Sequence, residues 1–116
     1  MIIYIIVRSD LNMSKGKIAS QCCHAVQELI LSCHGGKGKK TLRKYIDSGS
    51  SKIILKVNGL NELNFIKEEC NYKNIKYQTI IDIGKTEVLP DTMTVLGIGP
   101  IDKSIVPKCI RGLSLL

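Results

Sequence analysis

The sequence predicts an α/β fold: one domain with a mixed β-sheet of about four strands, flanked by helices on both faces. Three observations carry this. The opening run Ile2–Val7 is continuous and β-branched, which suits a strand buried on both faces. Strand-like and helix-like periods follow in the order β-α-α-β-α-β-β, which closes on two strands separated only by a loop, an antiparallel pair. The 116 residues are 44% apolar but only 4% aromatic, so a core large enough to stand without staples must be built from Ile, Leu and Val.

Each element has its own local signal. After the first strand, Arg8 to Ser14 is a polar loop in which Ser14 or Asn12 could cap a helix. Ile18, Cys22, Ala25 and Leu29 then recur at helical spacing, as do Ala19, Val26, Ile30 and Cys33, with Lys17, Gln21, His24 and Glu28 along the border of that apolar face. His34-Gly35-Gly36 is read as the stop of this helix. From Lys37 to Ile46 a thin stripe of Leu42, Tyr45 and Ile46 predicts a short amphipathic helix. Ser48 to Ser51 is a turn, Lys52–Val57 a strand, and Asn58-Gly59 a break. A third helix runs from about Asn61 to Cys70. Lys76–Ile81 and Thr92–Ile98 read as the last two strands, joined by the loop Asp82 to Asp91, with Gly99-Pro100 ending the second. The tail from Ile101 reads as irregular. Pro107 limits any helix there, and Leu113–Leu116 is a candidate for a short final pairing.

Charge narrows the choice of partner. The chain carries +7 overall, and the stretch from Lys37 to Lys56 holds seven basic residues against one acid, Asp47, or +6. Such a run is either a solvated face or a surface for an anionic partner, RNA first among them. Five cysteines, none in Cys-x-x-Cys, fit reduced thiols in a cytoplasmic setting. The apolar opening is too short for a signal core and lacks a basic lead, and no segment approaches a membrane span. Cys33-His34 alone is weak as a metal pair. Cys22 and Cys23 are expected to face the core, which argues against a thiol nucleophile. No metal and no cofactor is expected.

Several familiar motifs fail on spacing. A P-loop needs glycine five places before its Gly-Lys pair, but Cys33 precedes Gly38-Lys39 and Leu11 precedes Gly16-Lys17. Gly97-Ile98-Gly99 lacks the third glycine of a dinucleotide fingerprint. There is no Gly-x-Ser-x-Gly elbow. Two local oddities stand out instead. The first turn of the long helix holds Lys15, Gly16 and Lys17, where the partial positive charge of a helix N-terminus favours acids. Ammonium groups beside free backbone N–H groups suit an anion. Asp82 ends a strand just before the loop, where Thr92 and Thr94 of the next strand converge on it if the two strands pair. A lone loop aspartate is more often a turn cap. His24 is either a general base or a border histidine satisfied by Glu28 or a carbonyl.

These same residues carry a resemblance. Arg8-x-Asp10-Leu11-x-Met13-x-x-Gly16-Lys17-x-Ala19-x-Gln21-x-x-His24-Ala25 resembles the opening signature of the type-two peptidyl-tRNA hydrolases. Asp82-Ile83-Gly84-Lys85-Thr86, followed by Pro90-x-Thr92-x-Thr94-Val95-Leu96-x-Ile98-Gly99-Pro100, is similar to that family's second signature, in the same order and at the same separation. The resemblance spans essentially the whole chain. It implies a mixed sheet flanked by helices and hydrolysis of the ester joining a peptide to the 3′ ribose of tRNA. It assigns the active site to Lys17, Asp82, Thr86 and Thr94, with Gln21 and His24 nearby. Lys15, Lys39, Lys40, Arg43 and Lys85 are then expected to bind the tRNA. Ser20 stands where alanine is common, and Glu87 where an uncharged polar residue is common, which places an extra negative charge beside the site. Asp82 is expected to position or deprotonate a water, and Lys17 to stabilise the oxyanion or a terminal phosphate. Thr86 and Thr94 would hydrogen-bond the water or the ester. A non-catalytic RNA-binding module and a protein-interaction adaptor are the rival readings, and a homodimer is left open.

Overall fold

The computed structural model describes residues 1–83 and 87–116. The chain runs β1 (Ile2–Arg8), α1 (Lys15–Leu31), α2 (Gly35–Asp47), β2 (Ser51–Val57), α3 (Leu60–Tyr72), β3 (Tyr77–Asp82), β4 (Thr92–Ile101) and α4 (Lys108–Arg111), with short 3-10 turns at Ser9–Leu11 and Lys103–Ile105. One mixed sheet takes the order β2-β1-β4-β3. β1 is parallel to β2 and antiparallel to β4, and β4 is antiparallel to β3. The fold class, the element order and the antiparallel closing pair read from the sequence all hold.

β1 is central, which is why its run is unbroken. Ile2, Tyr4 and Ile6 point into one core with Leu63, Ile66 and Cys70 of α3 and with Val106 and Ile110 of the tail. Ile3, Ile5 and Val7 point into the other core with Cys22, Ala25 and Leu29 of α1 and Tyr45 of α2. The alternation follows from the two-residue period of a strand. Helices therefore cover both faces.

The structure departs from the sequence expectations at several places. Gly99-Pro100 does not end the last strand. β4 continues to Ile101, with three steps on β4 between Ile98 and Ile101 facing two on β1 between Tyr4 and Ile2. Gly99 permits this bulge. Its φ is +109°, and a Cβ there would lie 2.8 Å from the carbonyl oxygen of Ile2. Gly35 and Gly36 do not simply stop a helix, for α2 begins at Gly35. Gly38 then lets the start of α2 cross the end of α1, because a Cβ would meet the backbone of Cys33 at 2.9 Å. The tail is less irregular than expected. Pro107 precedes α4, since a residue lacking N–H can stand at a helix start where that donor has no partner. Leu115 bridges Leu55, so the short final pairing forms. Cys23 is exposed and only Cys22 faces the core.

Among the described residues, no helix is long and apolar enough to cross a membrane.

Candidate active site

The site lies where the C-terminal end of β3 and the start of β4 meet the first turns of α1. Ser14 caps α1, its Oγ accepting from the backbone N–H of Lys17 at 3.3 Å. Asn12 takes a left-handed conformation in the preceding turn and is not the cap. With the start of the helix fixed, Lys17 points across to the sheet and its ammonium pairs with Oδ1 of Asp82. The two side chains are only 9% and 8% exposed, so the pair is withdrawn from water. One helical turn on, Gln21 is 3% exposed and donates from Nε2 to Oγ1 of Thr94 at 2.6 Å. Thr94, at 0% exposure, donates in turn to the carbonyl of Ile80 at 3.3 Å. The periodicity that placed Lys17 and Gln21 on one border of α1 thus delivers both to the end of the sheet. The loop after Asp82 returns to it, the Asp91 N–H donating to the Asp82 carbonyl at 2.7 Å.

Glu87 resolves the oddity at the helix start. Its Oε2 accepts from the backbone N–H of Ser14 at 2.8 Å. The acid that the helix dipole favours comes from a loop 73 residues away rather than from the first turn. Hydrogen bonding with Ser14 holds the Glu87 carboxyl below the ordinary range, and the Lys17 ammonium adds to the effect.

The first signature also holds groups that serve the scaffold. Arg8 forks onto Asp10, Nε to Oδ1 at 3.1 Å and Nη2 to Oδ2 at 2.7 Å, and reaches the Met93 carbonyl at 3.1 Å. This ties the end of β1 to β4 beside the site. The hydrogen bonds from Arg8 lower the Asp10 carboxyl. Burial, with Cys23 as a like charge, pushes the Cys22 thiol up to about 11, so it is a packed side chain and not a nucleophile.

A groove of about 480 Å³ opens from this pair between α1 and β3. Gln21, His24 and Glu28 form one wall, and Thr79, Ile81 and Ile83 line the other. The larger cavity, about 740 Å³, lies at the opposite end of the sheet. Lys37, Lys44, Lys73 and Lys76 line it beside Met1 and Asp102.

Of the residues singled out in the sequence, Lys17, Gln21, His24, Asp82 and Thr94 come together at this end of the molecule. Lys15 is exposed on the first turn of α1. Lys39, Lys40 and Arg43 are exposed on α2, which begins just after α1 finishes, about 21 Å along its axis from Lys17. Lys85 and Thr86 lie outside the described residues. Two features were not read in advance. Lys73 and Lys76 join the basic cavity from a turn whose sequence carries no motif. Thr94 sits behind Gln21, whose own burial a border position on a helix does not announce. Among the described residues, no three His, Cys, Asp or Glu side chains converge as a metal site requires.

An α/β sheet with a buried lysine–carboxylate pair at the mouth of a groove defines a class of protein with a polar, chemically equipped cleft at one end of the sheet. Comparison with known proteins fixes which one: the family model described as "Peptidyl-tRNA hydrolase PTH2" matches residues 1–116, and the chain belongs to this family. It is 39% identical over 115 residues to a protein of Saccharolobus solfataricus, covering 97% of this chain and 96% of that one. It is 41% identical over 115 residues to one of Sulfurisphaera tokodaii, covering 97% and 95%. A Saccharolobus islandicus protein is 36% identical over the same length. All three carry the name peptidyl-tRNA hydrolase.

Proposed function

We infer that this chain hydrolyses the ester between a peptide and the 3′ ribose of tRNA, and that the buried Lys17–Asp82 pair carries the chemistry. The single supporting observation is that pair, at the mouth of a groove, in a chain of this family. An ester has a better leaving group than an amide, so an oriented water and a stabilised oxyanion suffice without a covalent nucleophile. Asp82 positions or deprotonates the water. Lys17 keeps Asp82 in place, and its ammonium is assigned to stabilise the negative charge that develops on the carbonyl oxygen. Thr94 is fully buried and acts as a positioning residue, fixing Gln21 at the groove wall. His24 is exposed on the same wall and is assigned to substrate contact.

The tRNA body is assigned to the basic surface. Lys15 stands beside the site, and Lys39, Lys40 and Arg43 stand a helix length away. A duplex stem covers that distance in fewer than about ten base pairs. Ammonium and guanidinium groups spaced this way meet phosphates without reading sequence, which suits an enzyme that acts on many tRNAs. A cytoplasmic setting is proposed as well, supported by five cysteines that are all free thiols. A homodimer is a separate proposal. Sedimentation of the purified chain tests it, and a single species at the monomer mass of 12.8 kDa rejects it.

The test is release of free tRNA from N-acetyl-aminoacyl-tRNA by the purified chain. Catalytic release supports the reading. Tight binding to tRNA with no release would instead make the chain a non-catalytic RNA-binding module.

A further inference from the structure

The peptide half of the substrate needs a place. β3 is an edge strand, and its outer side pairs with no strand among the described residues. Such an edge offers outward N–H and C=O groups at every second residue and invites an extended chain. Its six residues, Tyr77–Asp82, offer an edge of about 20 Å. The groove beside it reaches Asp82, the carboxylate that pairs with Lys17, so the edge is continuous with the proposed reaction centre.

Charge separates the two halves of the substrate. Among the described residues, neither lysine nor arginine lines this groove, whose ionisable walls are His24, Glu28 and Asp82. Along these walls a run of phosphates meets no lysine or arginine, whereas a neutral peptide backbone meets the main-chain groups of the strand edge. Ile81 is 51% exposed and Ile83 is 65% exposed, which leaves apolar surface for peptide side chains of any kind. Direction follows from chemistry. The scissile carbonyl is the C-terminus of the peptide, and it must sit at Asp82, the C-terminal end of β3. A peptide leading back along the groove therefore runs parallel to β3.

We propose that the peptide of the substrate binds as an added parallel strand along the outer edge of β3, held by main-chain hydrogen bonds. This inference rests on the hydrolase reading above. It predicts that one site accepts peptides without regard to their sequence, because affinity in strand addition comes from backbone groups that every residue carries.

The test uses the whole chain and a set of synthetic substrates. One is tRNA carrying N-acetyl-glycine. Others carry acetylated alanine peptides of two, three and four residues, and the tetrapeptide with a single N-methyl group at each amide in turn. The readout is kcat/KM. The proposal expects kcat/KM to rise with length over the first two or three residues and then level off. N-methylation should lower it roughly two- to tenfold at alternate amides and leave the amides between them nearly unaffected, since only every second N–H faces the edge. Replacing alanine by serine, leucine or lysine should matter little. Indifference to both length and methylation overturns the proposal. So does equal sensitivity at neighbouring amides, or a dependence that follows the side chain. Cleavage of all substrates at one common rate leaves the hydrolase reading standing while this one falls. No cleavage of any substrate overturns both.

Discussion

Lys17 and Asp82 sit at the ends of their elements, a position that sequence alone treats as tolerant of change. Their burial says otherwise. Removing one member of a buried ion pair leaves the other charge without its partner, at a cost of about 3–5 kcal/mol. Lys17→Ala and Asp82→Leu should therefore each lower the denaturant midpoint. The double variant Lys17→Met/Asp82→Leu should regain most of that loss, because an apolar pair of similar volume replaces both charges. It should not regain activity. Stability that fails to recover in the double variant would show that the two residues are held by something other than each other. Glu87 is a second residue whose role the fold decides. It places a carboxylate on the N–H of Ser14, close to where a phosphate of the substrate would be drawn. Glu87→Gln should lower KM for tRNA substrates by roughly two- to fivefold, the scale of one charge at a helix N-terminus, with kcat little changed. A higher KM would mean that Glu87 organises the site instead of opposing RNA.

At the scale of elements, α2 and the contact between α1 and β4 carry separate expectations. α2 presents Lys39, Lys40 and Arg43 to solvent while Tyr45 anchors it in the core. Neutralising the three together should raise KM and flatten the dependence of log binding on log salt by roughly two to three units. kcat at saturation should hold, since a contact made equally in ground and transition states does not change it. Measuring KM and kcat across a salt series decides this, and an unchanged KM with an unchanged slope would leave α2 a solvated face. The RNA would then have to lie elsewhere, around Lys15 and Lys103. The α1–β4 contact depends on Gly97, where a Cβ would come within 2.9 Å of Cδ1 of Leu29 and 3.2 Å of Cβ of Ala25. Both neighbours are fully buried and have little room to yield. Gly97→Val should cost about 1–3 kcal/mol in thermal or denaturant unfolding. It should also lower activity, because lifting α1 pulls Gln21 away from Thr94. A stable, fully active Gly97→Val protein would show that the helix is not seated as described.

For the molecule as a whole, the sheet and its two cores were legible because local period and tertiary role agree there. Ile2–Val7 is apolar at every position since it lies between two helical layers, and Ile18, Cys22, Ala25 and Leu29 repeat because one face of α1 covers β4. What escaped the sequence depends on contacts between distant residues. Gly99-Pro100 looks like a strand end until Ile2 is seen to close against it. Pro107 looks like a breaker until α4 is seen to start after it. Cys23 follows a buried cysteine but turns to solvent one position later. The candidate site divides in the same way. Lys17 and Asp82 stood out as residues that break or end a local pattern, while the Glu87–Ser14 contact and the place of Thr94 behind Gln21 appear only when loop, helix and sheet are assembled. The strand order puts β3 at an edge, with the ion pair at its C-terminal end and basic residues of α2 lining the cavity at the other, so the proposed peptide track and the proposed RNA surface are distinct parts of the molecule.

The most direct measurement is kcat for release of tRNA from N-acetyl-aminoacyl-tRNA at saturating substrate, for the parent chain and for Asp82→Asn, with each shown to be folded under the assay conditions. Asp82→Asn keeps the shape of the side chain and removes the charge that pairs with Lys17 and that is proposed to orient the water. If this carboxylate carries the chemistry, kcat falls by about 100-fold or more while folded protein remains. Near-normal turnover by a folded Asp82→Asn enzyme would contradict it and move the reaction to other groups at the mouth of the groove.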